Sequence, residues 1–108
     1  MASREEIAGI FNGILQRFDA AKAEGLNAVV QFDLSGDNGG AYWMKIADGK
    51  MEVGSGASEN PKMTVRASAD DFASMISGAI NPMQAFMMGK IKIQGDTGLA
   101  LKLMPLLS

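Results

Sequence analysis

Apolar residues recur at Ile7, Ile10, Phe11, Ile14, Leu15 and Phe18, a spacing of three and four that lines one face of a helix. Ser3 and Glu6 make a Ser-x-x-Glu capping box ahead of them, and Gly25 offers a stop. The pattern therefore predicts an amphipathic helix reaching about Glu24. From Ala28 the period changes to two. Val30, Phe32 and Leu34 fall on one side and Gln31 and Asp33 on the other, which predicts a half-buried strand over 28–34. The glycine-rich run 36–40 turns the chain into a second strand over 41–47. Asp48-Gly49 suits a tight hairpin into a third strand over 50–53. In the second strand Tyr42, Met44 and Ile46 point to the core, which leaves Trp43 beside Lys45 on the polar face. Either a bulge reverses the parity there, or Trp43 is simply part-exposed, or it marks a contact surface.

The second half alternates faster. After a crossover at 54–59, a strand over 62–67 sends Met63, Val65 and Ala67 inward and Lys62, Thr64 and Arg66 outward. Ser68 and Asp71 cap a helix whose stripe is Phe72, Met75 and Ile76, with Gly78 weakening its end. Asn81-Pro82 starts another helix, over 82–88, on which Met83, Phe86 and Met87 share a face that the pattern turns inward. Gly89 stops it. Lys90 to Gln94 is a strictly alternating strand with Ile91 and Ile93 on one face. Asp96 or Thr97 then caps a closing helix with Leu99, Leu103, Met104 and Leu107 as its stripe, limited by Pro105.

These elements predict an α+β fold: a five-stranded mixed sheet, made of an antiparallel three-strand meander, a crossover and two further strands. An N-terminal helix and C-terminal helices cover one face, and the charged face stays open to water. At 108 residues the chain fits a single domain, 1–108.

Composition narrows the chemistry. There is no Cys and no His, which removes disulfides, thiol nucleophiles, ordinary zinc sites and His-based acid–base schemes. Asp70 and Asp71 are adjacent carboxylates, but their first-turn position fits helix capping better than catalysis. Gly54-Ser55-Gly56 lacks the third glycine and the following helix of a dinucleotide loop. No catalytic residue, cofactor or metal is expected. The net charge of −2 gives no field to hold nucleic acid. Residues 1–60 nevertheless hold five bases against nine acids, and residues 61–108 five against three. That local excess can attract anionic headgroups or acyl-CoA phosphates, or be a solvated strand face. No signal-like apolar run opens the chain, so a cytoplasmic location is expected.

The order Gly89-Lys90-Ile91-Lys92-Ile93-Gln94-Gly95-Asp96-Thr97-Gly98-Leu99-Ala100-Leu101-Lys102-Leu103 resembles the C-terminal signature of the sterol carrier protein 2 (SCP2) lipid-binding domain family. The order of elements along all 108 residues is similar too. The resemblance implies a hydrophobic tunnel between the sheet and the C-terminal helices, holding a fatty acid, fatty acyl-CoA, phospholipid or sterol. Met63, Met75, Met83, Met87, Met88 and Met104 make such a layer adaptable in shape, or simply fill gaps in a small core. With the resemblance, the candidate ligand contacts are Phe32, Met63, Phe72, Met75, Ile76, Met83, Phe86, Met87, Leu99, Leu103 and Met104. The expected role is non-enzymatic binding and transfer of a lipid, with transient membrane contact as a further partner. The alternative is a structural, oligomerisation or accessory module of a lipid-related enzyme system.

Overall fold

The computed structural model describes residues 4–21, 25–36, 39–96, 98–99 and 102–103. Helix α1 (Arg4–Gln16) leads into β1 (Ala28–Ser35), β2 (Gly40–Ala47) and β3 (Lys50–Ser55). After the crossover come β4 (Met63–Ser68), α2 (Ala69–Ser77), α3 (Pro82–Met87) and β5 (Ile91–Gly95). Helical backbone resumes at residues 98–99 and 102–103. The sheet order is β3-β2-β1-β4-β5, with β1 and β4 parallel and every other pair antiparallel. This is the expected α+β arrangement, with the meander at one side and β4 and β5 at the other.

Strand parity sets the core. Val30, Phe32, Met44, Ile46, Met63, Val65 and Ile91 are all buried on the face that meets Ile7, Phe11 and Ile14 of α1 and Phe72 of α2. Four rings lock these layers together. Phe11 stacks on Tyr42 at 4.7 Å and on Phe72 at 5.3 Å, and Phe32 meets Phe11 and Phe72 edge-on at 5.3 and 5.6 Å. At these separations each pair adds to what area burial alone provides. The hairpin forms as expected: Asp48 and Gly49 both take positive φ, 54° and 73°, which matches the twist of the flanking strands.

Two expectations are corrected. Helix α1 ends at Gln16, well short of Glu24, because local turns compete with it. The Phe18 N–H reaches only Leu15 O, at 3.3 Å, and the Asp19 carboxylate accepts from the Ala21 N–H at 2.9 Å. Ser3 of the capping box lies outside the described residues. The second correction concerns the outer face of the sheet. Gln31 is buried there, because the crossover folds over it: its Oε1 accepts from the Ser58 N–H and Oγ, both at 2.8 Å, and its Nε2 donates to Gly56 O at 3.1 Å. Only part of this face is therefore open. The part that is open carries the Asp33–Arg66 ion pair at 3.8 Å.

The neighbouring strand β3 explains Trp43. The register runs unbroken through Gln31↔Trp43 and Trp43↔Gly54, so no bulge reverses the parity. The indole lies instead across the side-chain-free surface of Gly54, where any Cβ would collide with the ring. It is half-buried by its own sheet. Gly54→Val should push the indole off and cost about 1–3 kcal/mol. Trp43 is the single tryptophan, so its emission reads the change directly. A red shift is expected; an unshifted spectrum would show that the ring is held elsewhere.

Candidate functional site

The C-terminal half presents apolar side chains from short, separately capped pieces. Ser68 Oγ accepts from the Asp71 N–H at 3.0 Å and starts α2; Gly78, at φ 87°, ends it. Asn81 Oδ1 then accepts from Met83 N–H at 2.9 Å and Gln84 N–H at 3.4 Å to start α3. Gly89 turns the chain at φ 77°, and the Lys90 N–H returns to Ala85 O at 2.9 Å. The Asp96 carboxylate accepts from the Leu99 N–H at 3.3 Å and begins the closing helix. Each cap supplies a group that would otherwise leave backbone donors open.

The candidate contacts divide into three groups. Phe32, Met63, Phe72, Met75, Leu99 and Leu103 are buried, Phe32 and Phe72 completely. Ile76 is half-buried and lines a groove of about 450 Å³ between α1 and α2, opened by the bare backbone of Gly9 and Gly13. Met83, Phe86 and Met87 are 48%, 45% and 81% exposed, and Met88 beside them 66%. Met104 lies outside the described residues, as do Thr97 and Leu107.

The stripe of α3 therefore does not face inward as the pattern suggested. The residue that does is Ala85, only 1% exposed. At 100° per residue, Ala85 is about 160° round the helix from both Met83 and Met87. Burying Ala85 therefore turns both methionines outward. The bond from Lys90 to Ala85 O fixes that choice. Spacing alone identified the apolar stripe but carried no sign for which way a six-residue helix would turn it. Phe11, not among the expected ligand contacts, touches three other rings, and its signal was its place in the stripe of α1.

A second groove, of about 520 Å³, opens where β1 and β4 end. Asp33, Ser35, Arg66, Ser68, Gly89, Lys90 and Lys92 line it. Among the described residues, no group of three or more His, Cys, Asp or Glu side chains could hold a metal, and every buried side-chain polar atom has a partner. No helix among them is long and apolar enough to cross a membrane. The arrangement offers apolar contact and positive charge.

A one-layer mixed sheet roofed by helices on one face, with apolar side chains of α3 left showing, defines an α+β domain. The model of the SCP-2 sterol transfer family matches residues 11–108, and the chain belongs to that family. It is 40% identical over 82 residues to hydroxysteroid dehydrogenase-like protein 2 of Bos taurus, a match covering 75% of this chain and 20% of that protein. The chain thus spans about a fifth of the length of the curated relatives it matches. The sterol carrier protein domain 2 of Helicoverpa armigera is similar in structure, with 31% identity and a TM-score of 0.74, over 95% of this chain and 83% of that one. Palmitated SCP2L2 from Aedes aegypti is 27% identical with a TM-score of 0.67, over 91% and 90% of the two chains.

Proposed function

We propose that the chain is a non-catalytic carrier that binds a lipid with a long acyl chain beneath α3 and the closing helix and hands it on. The observation that carries this reading is the outward apolar face of α3: four large apolar side chains in six residues, 45–81% exposed. A small soluble domain rarely leaves such a patch without a use. Family membership and the palmitated Aedes domain support an acyl ligand. In this reading Met75, Leu99 and Leu103 form the floor under the lipid, and α3 must turn from its present setting, in which Ala85 faces in, to bring Met83 and Phe86 over it. Phe32, Met63 and Phe72 hold the wall behind. Mass spectrometry of an organic extract of the purified protein tests it: a long-chain lipid near one per chain is expected. A lipid-free chain that takes up no fatty acid would overturn it.

Phe86→Asp gives a sharper local test. Phe86 is 45% exposed, so the fold should tolerate the change. Affinity for a fluorescent fatty acid should fall on the order of tenfold or more, since a carboxylate has no partner against an acyl chain. Unchanged affinity in the folded variant would remove α3 from the site.

A second reading rests on the one-fifth coverage of the curated relatives. In it, a domain of this kind serves as an accessory module that presents lipid to a larger enzyme. It predicts the same ligand but requires a partner domain for transfer.

A further inference from the structure

The carrier reading rests on the apolar face of α3 as a whole but gives its outermost methionines no contact with the lipid, and it leaves unused the cations of the groove beside it. Met87 and Met88 are the most exposed large apolar side chains among the described residues, at 81% and 66%. Only Gly89 separates Met88 from Lys90, and three residues of chain, from Met87 to Lys90, span at most about 11 Å. The turn at Gly89 and the bond from Lys90 to Ala85 O hold Lys90 against the end of α3. The groove of about 520 Å³ begins there, lined by Lys90, Lys92 and Arg66. One carboxylate, Asp33, shares that lining, and it pairs with Arg66 at 3.8 Å. Among the described residues neither lysine has a carboxylate partner. Asp70 and Asp71 belong to the first turn of α2 and do not line the groove.

We infer that the α3–β5 corner is a docking surface for an anionic phospholipid bilayer. Met87 and Met88 enter the interface between headgroups and acyl chains, and Lys90 and Lys92 take lipid phosphates at the mouth of the groove. Apolar tips next to uncompensated cations are what an interfacial contact requires, since insertion and headgroup attraction act together. A second copy of this chain fits less well: an isologous contact would bring the same lysines face to face. The molecule as a whole has net charge −2, so attraction to an anionic surface needs a local cationic patch, and docking through this one fixes which side meets the bilayer. The inference goes beyond lipid carriage, because docking requires no lipid inside the domain.

Cosedimentation of the lipid-stripped 108-residue chain with vesicles tests it. Vesicles of phosphatidylcholine with phosphatidylserine should retain the chain, and added salt should release it. Phosphatidylcholine alone should retain little. Replacing Lys90 and Lys92 by Gln should weaken binding roughly 25-fold, from about 1 kcal/mol per cation near the surface. Replacing Met87 and Met88 by Gln should weaken it on the order of tenfold, while K90R/K92R keeps it. All four positions are exposed, so circular dichroism should show each variant folded. Equal binding to neutral vesicles, or no loss with K90Q/K92Q, would overturn the assignment. So would a dimer in sedimentation that M87Q/M88Q dissociates, which would give the face to a second copy. Because the chain is stripped first, a failure here leaves the extraction result standing, and the reverse also holds.

Discussion

Phe72→Ala should lower the melting temperature by roughly 13–22 °C, the largest single effect expected in this molecule. The ring is completely buried, stacks on Phe11 at 5.3 Å and meets Phe32 at 5.6 Å. Removing a buried Phe costs about 3–5 kcal/mol, because contacts are lost and the cavity closes only in part. A chain of this length has an unfolding entropy of roughly 0.23 kcal/mol per kelvin, which converts that cost into the stated shift. A drop smaller than about 5 °C, measured by calorimetry, would mean that the sheet and the helices are not joined through these rings.

The second large effect is that of ligand. Stripping bound lipid and then adding a long-chain fatty acid at about 100 times its dissociation constant should stabilise the chain by ~2.7 kcal/mol. On the same entropy this raises the melting temperature by roughly 12 °C. The core between α1, α2 and the sheet is filled by four rings, so the space for an acyl chain must come from moving shorter elements. Helix α3 is the best placed to move: it has six residues, caps of its own and, among its described side chains, only Ala85 deeply buried. Hydrogen exchange in α3 should slow on ligand addition, while amides of β1 and β4 stay as they were. Coincident melting curves with palmitate, palmitoyl-CoA and a sterol would sink the carrier reading and the lipid-presenting module alike, and favour a purely structural role.

Most of the sheet could be read directly from the residues. Alternation in Val30-Gln31-Phe32-Asp33-Leu34 and in Lys90-Ile91-Lys92-Ile93 assigns faces because strand side chains repeat every two residues, and both segments obey it. Caps were equally legible: Ser68 and Asn81 sit where their side chains accept from the next free amides. What failed was whatever depends on a second element. Gln31 looks solvent-facing until the crossover brings Ser58 over it, and Trp43 looks anomalous until Gly54 is found beneath it. The outward turn of Met83 and Met87 follows from the contact of Ala85 and the return of Lys90, neither of which leaves a mark in the periodicity of α3. The site was thus legible as a set of apolar residues, and illegible in which of them are held in and which are shown.

The parallel pairing of β1 with β4 also sets the order in which the chain acquires structure. Strands β1, β2 and β3 join through near neighbours, but Val30 must find Met63, thirty-three residues away. Loop closure over that separation is slow compared with hairpin formation. Folding should therefore begin as the meander and finish by adding β4 and then β5. Pulsed hydrogen exchange during refolding should protect β2 and β3 amides before those of β5, and simultaneous protection would contradict this order. Until β5 arrives, β4 offers a bare edge from Met63 to Ala67 with alternate side chains apolar, a template on which a neighbouring nascent chain can pair and aggregate.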